Sequence, residues 1–325
     1  MFIKTLALAA AMAIIAGTTH AADRVTLRLE WAIGGGHAPF YLAKERGYFA
    51  EEGIDIDITP GNGSSKTVAI VGSKGAMFGI ADGASVIRAI AQGVPVKMVG
   101  AIANLSPFGL GVRKDSGITT IKDVEGHSIA FTAGSAQASV WPAIMQINGV
   151  DASKVKMVNM DFAGAVAAVA NGQVQGQLLG VDGQSLVLED RGIPMRTFLF
   201  SDLGLSAIGK GIIVHDELIK ENPDLISRFL KAVRRGFEEA AKNPDEAARL
   251  AVAAQDAAAR QSESMMKRQM LINLDLIHSP NTKGKPFLTM DERDWAGQLD
   301  ALKQFGGLQT DLPPTAFFTN EFVPQ

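Results

Sequence analysis

The sequence predicts an α/β protein built from two lobes of similar construction. Val25–Trp31 and Ile54–Ile58 alternate apolar and polar residues, as half-buried strands do, and helix-forming stretches follow them. A second round of the same alternation begins near Arg113. Strands that alternate with helices are typical of largely parallel sheets. A chain of 325 residues is also large for one core, which favours two lobes.

Each round contains short strands separated by helices. In the first round we predict strands at 25–31, 54–58, 77–81 and 96–102, and helices at 39–47, 67–72 and 84–92. In the second we predict strands at 127–132, 154–159 and 176–181, and helices at 139–148 and 164–171. Pro39 and Pro142 locate two helix starts, because proline lacks the backbone N–H that only the first turn can spare.

The last third of the chain is predicted to be a helical C-terminal segment. Helix-forming residues run from Pro223 to about Arg268, with Asn222 as a cap and a restart at Asn243-Pro244. An apolar stripe at helical spacing is formed by Leu225, Ile226, Phe229, Leu230 and Val233. A final helix is predicted over 288–305, with Thr289 and Glu292 as a capping box. We expect this segment to fold back over one lobe.

The first 21 residues have the layout of a secretory signal peptide. Lys4 gives a positive start, an apolar run covers 6–16, and small residues lead to cleavage after Ala21, with Ala22 as the alternative. A membrane anchor is the competing interpretation, but the apolar run is shorter than the ~20 residues that span a bilayer. No cysteine follows that could carry a lipid. We therefore expect a soluble mature protein in the periplasm, without direct membrane insertion after processing.

Composition excludes several function classes. The formal net charge of −3 gives no basic field for nucleic acid. The absence of cysteine excludes thiol catalysis and cysteine-ligated metals. The histidines do not recur at the spacing of metal ligands, and the Gly-x-Ser-x-Gly motif of a hydrolase nucleophile is absent. A dinucleotide-binding motif that starts at Gly34 would need glycine at position 39, where the chain has proline. We therefore predict no catalytic residue, no metal and no cofactor.

Ligands of open parallel sheets bind where strands end and helices begin, and this rule selects candidate residues. After the first three strands it selects Trp31, the loop that ends at His37, the turn 62–65, and Asp82. In the second half it selects the turn 134–138 and Asp182.

Each candidate has a structural alternative. Trp31 is either a stacking wall for a ring or cation, or part of the core. His37 is either a ligand partner, or a loop residue or cap. Asp82 and Asp182 either pair with an amino group of the ligand or cap the helices that follow. Ser135 and Gln137 belong either to an anion-binding helix start or to a tight turn.

One long block of the sequence resembles a known family. His37–Asp55, with the sequence HAPFYLAKERGYFAEEGID, is similar to a signature of periplasmic substrate-binding proteins of ABC importers. The branch it resembles covers nitrate, sulfonate, taurine and thiamine-pyrimidine-precursor binders. Further segments of the same resemblance are 78–82, 93–96, 116–118, 222–224 and 229–232. The matches run through most of the chain after the leader.

The resemblance implies the two-lobed, type II periplasmic binding protein fold, with a hinge of two crossing strands. The crossings would lie near Leu110–Arg113 and Ile208–Val214. Lobe 1 would then comprise residues 22–112 and 212–325, including the C-terminal helices, and lobe 2 would comprise 113–211. The ligand-binding residues carried over by the resemblance are Trp31, His37, Asn62, Ser64 and Asp82 from lobe 1, and Ser135, Gln137 and Asp182 from lobe 2.

The resemblance also implies a function. The protein would capture a small organic solute by closing its lobes and present it, as a monomer, to an inner-membrane ABC permease. The solute would be an aromatic or heterocyclic compound of the pyrimidine type, or a sulfonate or carboxylate. Alternatives are an exported enzyme on the same fold, such as a dehydratase, and a ligand-sensing receptor domain. Yeast-type relatives that make the thiamine pyrimidine depend on a cysteine cluster, which this chain lacks.

Overall fold

Two five-stranded sheets, each packed with helices, form the framework of the protein. The computed structural model describes residues 21–133, 135–205 and 208–325. The predicted signal peptide falls almost entirely on residues 1–20, and residue 134 of the predicted turn is likewise outside the described residues. Within the described residues, the α/β architecture with two similar sheets is confirmed.

The first sheet has the strand order β2-β1-β3-β10-β4. Its strands are β1 (Asp23–Arg28), β2 (Ile54–Thr59), β3 (Phe78–Asp82), β4 (Val96–Ala103) and β10 (Lys210–His215). β1 runs parallel to β2 and β3, whereas β10 lies antiparallel between β3 and β4. The register places Lys210 directly opposite Asp82.

The second sheet repeats this arrangement, with the order β7-β6-β8-β5-β9. Its strands are β5 (Phe108–Arg113), β6 (Ser128–Phe131), β7 (Lys156–Asn159), β8 (Gly176–Gly180) and β9 (Met195–Leu199). β6 is parallel to β7 and β8, and β5 is antiparallel to β8 and β9. The antiparallel strand of each sheet, β5 or β10, is thus the strand that arrives from the other sheet.

In the described residues the chain passes from the first sheet to the second and back again. It leaves the first sheet after Ala103 and enters the second at Phe108, and it returns between Leu199 and Lys210. The boundaries predicted at 112/113 and 211/212 therefore fall inside β5 and β10. An apolar strand has the same sequence pattern whichever sheet it joins, so the pattern could not locate the crossings. We propose to divide the lobes at the crossings, 104–107 and 200–209.

Twelve α-helices occur in the described residues. Those of the first two thirds are α1 (Ala38–Glu45), α2 (Tyr48–Glu51), α3 (Ser64–Gly72), α4 (Gly83–Ala91), α5 (Ala136–Ile147), α6 (Phe162–Ala170) and α7 (Gln184–Asp190). Those of the last third are α8 (Asp216–Glu221), α9 (Pro223–Lys242), α10 (Pro244–Ala253), α11 (Glu263–Asp275) and α12 (Glu292–Phe305). None of the described helices is long and apolar enough to cross a membrane.

Two predicted helix starts are wrong. α5 begins at Ala136 with Ser135 as its cap, so Pro142 lies inside the helix rather than in its first turn. α12 begins at Glu292 and is capped by Asp291, whose carboxylate accepts a bond from the N–H of Arg293, rather than by Thr289. For α12, Thr289 and Asp291 are both acceptable capping residues and stand two positions apart. The backbone conformation makes Asp291 the cap.

The C-terminal helix α12 packs against both halves rather than folding over one. Trp295, Leu299 and Leu302 belong to a core beside the first sheet, whereas Ala301 and the partly buried Phe305 pack into the core of the second. The buried side chain of Gln298 accepts a bond from the N–H of Ile208 in the second crossing, at 3.2 Å. The helix therefore contacts both cores and bonds to the second crossing.

The two crossings touch backbone to backbone at Gly209. A β-carbon there would lie 2.3 Å from the carbonyl oxygen of Leu105 and 2.7 Å from that of Ala103. The N–H of Gly83 also donates to the carbonyl of Gly209, at 3.1 Å. Glycine at this position thus allows a close approach that no larger residue permits.

We predict that Gly209→Ala lowers the free energy of unfolding by about 1–3 kcal/mol, because the methyl group forces the crossings apart. The control is Gly183→Ala, whose methyl would meet only the carbonyl oxygen of Gly180, at 3.7 Å. Urea denaturation of both variants measures the effect. Equal stability of the two variants would contradict the close approach at Gly209.

Candidate functional site

A cavity of about 420 Å³ lies between the two halves, beside the crossings. This volume is within the range of small-molecule sites. The first sheet and its helices supply Ser65, Asp82, Ala84, Ser85 and Arg88; the crossings and β5 supply Ser106, Phe108, Phe200, Leu205 and Ile208; α5 with its cap supplies Ser135 and Val140; and α12 supplies Gln298 and Leu302. A molecule inside would therefore contact both halves at once.

Asp82 lines the cavity on the side of the first sheet and caps α4. Its carboxylate accepts bonds from the N–H of Ser85, at 2.9 Å, and from the Ser85 hydroxyl, at 2.7 Å. The hydroxyl of Ser64 accepts a bond from the N–H of Asp82, at 3.1 Å. The structural alternative for Asp82, a helix cap, is thus correct, and its carboxylate still lines the cavity.

Ser135 contributes the corresponding helix start from the second half. Its hydroxyl accepts a bond from the N–H of Ala138, at 3.2 Å, which caps α5, and it lines the cavity. Gln137 lies in the first turn of α5 and is buried, but it is not among the lining residues. Two helix starts, at Asp82 and at Ser135, therefore border the cavity from opposite sides.

A partly buried ion pair, in contact with a buried histidine, lies next to this cavity. The Lys210 ammonium donates to Glu30 Oε1 at 2.9 Å, and His37 Nε2 lies 2.8 Å from Glu30 Oε2. His37 Nδ1 accepts a bond from the N–H of Gly34, at 3.0 Å, so the nitrogen that carries the proton in the neutral ring is Nε2, which donates to Glu30. The Glu30 carboxylate thus holds both Lys210 and His37.

These contacts set the charges of the pair. Burial acts to raise the pKa of Glu30, but His37 and Lys210 outweigh it and hold that pKa below its ordinary value. Burial acts to lower the pKa of Lys210, but the carboxylates of Glu30, Asp182 and Asp82 together raise it. Both groups are therefore charged at neutral pH.

Helix α11 connects this ion pair to the second half. The amide of Asn273 donates to Asp182 Oδ2, at 2.9 Å, and Arg268 pairs with Glu189 and Asp190 on α7. The same helix packs tightly on the loop before α1, where a β-carbon on Gly35 would lie 2.3 Å from the backbone nitrogen of Met270. α11 is thus fixed to one half and bonded to the other.

The structure brings together some of the predicted residues and separates others. Asp82, Ser64 and Ser135 lie at or beside the cavity, and His37 and Asp182 lie around Lys210. Trp31 is 57 % exposed and follows the end of β1 at Arg28, so the core alternative for it is wrong.

Asn62 and Asp182 do not take the places predicted for them. Asn62 is exposed, and no cavity contact places it with the others. Asp182 does not cap α7, which has Gly183 at that position, and it bonds to Asn273 instead. Whether the eight predicted residues bind a ligand stays a prediction.

Sequence reasoning missed the polar residues that organise the site. Glu30 stands at a polar position of an alternating strand, and that pattern does not distinguish it from an ordinary surface residue. Lys210 follows a glycine at the start of an apolar strand, and Asn273 lies in a long helical stretch. Ser65 lies in the turn 62–65 that the strand-end rule selected; the cavity residues that it missed are Ala84, Ser85, Arg88, Ser106, Phe108, Val140, Phe200, Leu205, Ile208, Gln298 and Leu302. Only the strand-end rule pointed near some of them.

No group of three histidine or acidic side chains that could hold a metal ion occurs in the described parts of the chain.

We predict that Glu30→Gln lowers the free energy of unfolding by about 3 kcal/mol at pH 7, because the largely desolvated Lys210 ammonium loses its counter-charge. The pKa of Glu30 is depressed on folding, so its stabilising contribution is present above the unfolded-state pKa of about 4.3 and is lost as the pH falls through the folded-state value. The difference between wild type and variant should shrink between pH 5 and pH 3. Urea denaturation at several pH values measures it.

The control for this pH series is Glu321→Gln, which removes an exposed carboxylate near the C terminus. We expect it to have a small effect at every pH. A difference between wild type and Glu30→Gln that does not change with pH would contradict the assigned charge of Glu30.

Known proteins that resemble this chain belong to one family or share its fold. The model of the family described as NMT1/THI5 like matches residues 35–247. The chain is similar to the riboflavin-binding protein RibY of Chloroflexus aurantiacus, with 25 % identity over 305 residues, which are 93 % of this chain and 86 % of the relative. It is also similar to the 4-amino-5-hydroxymethyl-2-methylpyrimidine phosphate synthase of Legionella pneumophila, with 26 % identity and 93 % of each chain covered.

Among solved structures, the periplasmic sulfonate-binding protein SsuA from Methylobacillus flagellatus KT superposes with a TM-score of 0.69 at 19 % identity, covering 93 % of each chain. This likeness concerns the fold, which is the type II periplasmic binding protein fold predicted from the sequence. The family model covers well over half of the chain, including the helices and strands that carry Asp82, Ser135 and Lys210. The chain therefore belongs to the NMT1/THI5-like family.

Proposed function

We propose that this chain is the periplasmic solute-binding component of an ABC importer, and that it captures a small organic solute by closure of its two lobes. The observation that carries this proposal is the cavity of about 420 Å³, which takes its walls from both halves, while the described chain passes between the two sheets once in each direction. Such a site has both of its walls only when the lobes are together. Solute binding and lobe closure are then coupled.

The mechanism is a shift between an open and a closed form. A solute favours the closed form only by the extra affinity it has for that form. Here the extra affinity would come from touching Asp82 and Ser85 on one side and Ser135 on the other, contacts that a separated pair of lobes cannot offer together. The bonds from α11 to Asp182, Glu189 and Asp190 would also form only on closure.

The proposal includes export and a membrane partner. The N-terminal leader would direct the chain to the periplasm, and the loaded protein, as a monomer, would dock on an inner-membrane ABC permease. The riboflavin-binding name of the Chloroflexus relative supports the binding role and an aromatic or heterocyclic solute. The sulfonate-binding name of the structural neighbour keeps a sulfonate or carboxylate as the alternative solute class.

The synthase name of the Legionella relative raises an enzymatic alternative. A binding role is favoured here by the state of the polar groups at the site. The Asp82 carboxylate is occupied by the N-terminus of α4, and Glu30 is held between Lys210 and His37. A general base must reach its substrate within hydrogen-bonding distance while free to accept a proton. Detection of product after incubation with candidate substrates would favour the enzyme.

The direct test is native mass spectrometry of protein isolated from the periplasm, followed by calorimetry with riboflavin, 4-amino-5-hydroxymethyl-2-methylpyrimidine and ethanesulfonate. We expect one bound small molecule per chain and a raised unfolding temperature with the solute that binds. Absence of any co-purified solute, together with no stabilisation by the three probes, would contradict the proposal.

We predict that Ser65→Phe weakens binding of the captured solute at least tenfold, because Ser65 is exposed on α3 and lines the cavity, where a phenyl ring would occupy ligand space. The matched control is Ala69→Phe, which places the same ring at an exposed position of the same helix that does not line the cavity. Calorimetry measures both affinities. Equal affinities for the two variants would show that the solute binds elsewhere.

A further inference from the structure

The side chain of Gln298 brings an unused hydrogen-bond donor to the wall of the cavity. Gln298 is 6 % exposed and lines the cavity from α12. Its Oε1 accepts a bond from the N–H of Ile208 at 3.2 Å, so a flipped amide would set two N–H groups against each other. The amide nitrogen therefore has a fixed place, and it donates to none of the described residues. A buried donor in this state is stabilised by an acceptor that enters the cavity.

Arg88 is the cation among the described residues that line the cavity. It lies on α4 and is partly buried. Its Nη1 donates to the carbonyl of Gly306, at 3.1 Å, directly after the end of α12. Capping of α12 is thus a structural role for Arg88, but it uses one of the five N–H groups of a guanidinium. In the described parts of the chain, no carboxylate lies within ion-pair distance of Arg88.

The acid that lines the cavity, Asp82, does not neutralise Arg88. Both of its oxygens accept bonds from Ser85, one from the N–H and one from the hydroxyl. Its negative charge also acts on Lys210, which lies directly opposite on β10. The charge of Arg88 is therefore available to an anionic oxygen group of a solute.

Helix α12 sets the separation between the two donors. Gln298, Leu302 and Gly306 recur at four-residue spacing and so share one face at the end of this helix. The axial distance from Gln298 to Gly306, where Arg88 is bonded, is about 12 Å at the rise of an α-helix. Leu302 and the ring of Phe200 line the same cavity. The cavity thus combines apolar walls with a donor toward each end of this helix face.

We propose that Arg88 and Gln298 select an aromatic acid as the solute. Arg88 binds the carboxylate or sulfonate, and Gln298 donates to a carbonyl oxygen at the other end of the molecule. This inference rests on the proposed solute-binding function and specifies its ligand class. A guanidinium matches such an anionic group with two parallel N–H bonds, which a neutral amide in the same place cannot replace. A ring that lacks the second oxygen would leave the Gln298 nitrogen unpaired.

The test uses probes that differ from 4-acetylbenzoate in one group each. 4-Acetylbenzamide replaces the charge by a neutral amide, and 4-ethylbenzoate removes the ketone oxygen. We expect the wild type to bind 4-acetylbenzoate at least tenfold more tightly than the amide and at least fivefold more tightly than the ethyl compound. 4-Acetylbenzenesulfonate should also exceed the amide, and its ratio to 4-acetylbenzoate shows which anionic group is preferred. Calorimetry provides the four affinities.

The variant Arg88→Gln tests the anionic end. It should reduce the preference for 4-acetylbenzoate over 4-acetylbenzamide to less than threefold, while the affinity for the amide changes little. The matched control is Arg249→Gln, which removes the same charge from an exposed position of α10 outside the cavity. Its preference should stay within twofold of wild type.

The variant Gln298→Met tests the other end, because methionine keeps a similar shape without the amide. It should reduce the preference for 4-acetylbenzoate over 4-ethylbenzoate to less than twofold. The control is Gln304→Met, at an exposed position of the same helix that does not line the cavity. A general loss of stability would weaken both probes alike, so the ratio reports the lost donor. Circular dichroism and thermal unfolding confirm that each variant is folded.

The outcomes separate this proposal from the function on which it rests. Equal binding of acid and amide by the wild type, or an unchanged preference in Arg88→Gln, would overturn the selection of an acid and leave solute binding intact. The same holds if a co-purified solute, weighed by native mass spectrometry and identified, has no anionic group, or if it is present while none of the four probes binds. Failure of every probe to bind, with no co-purified solute, would overturn both.

Discussion

The partly buried charge of Lys210 is the constraint on which the site depends. An ammonium group inside the protein must have a counter-charge, and Glu30 supplies it at 2.9 Å. Because Glu30 also holds His37, the pair fixes the loop that precedes α1. Lys210 itself is the first residue of β10, where the second crossing joins the first sheet. One ion pair therefore links the hinge region, the loop before α1 and the edge of the cavity.

Two helices of the C-terminal segment extend this coupling to the other lobe. α12 packs into both cores, and α11 bonds to Asp182, Glu189 and Asp190. The two contacts differ in kind. The first is apolar and would persist through small rotations, whereas the second consists of directional polar bonds that separate readily in water. This division suits a molecule whose lobes stay joined along α12 and separate at α11.

The periodic parts of the fold could be predicted from the sequence, because alternating strands such as Ile54–Thr59 and amphipathic helices such as Pro223–Lys242 carry their own burial pattern. The crossings could not, since β5 and β10 are apolar strands whose partners are distant in the chain. The strand-end rule found Asp82 and Ser135 because it reflects topology. It did not find Lys210 or Asn273, whose roles arise only from the contact between β10, α11 and the loop before α1.

Closure of the two lobes around a solute is the central claim, and the absence of cysteine makes it directly measurable. Spin labels attached through Ala69→Cys on α3 and Lys156→Cys on β7, both exposed positions on different lobes, report the distance between the lobes by pulsed electron resonance. The account predicts a broad distance distribution in the solute-free protein that shifts and narrows when the co-purified solute is restored. An identical distribution with and without that solute would contradict it.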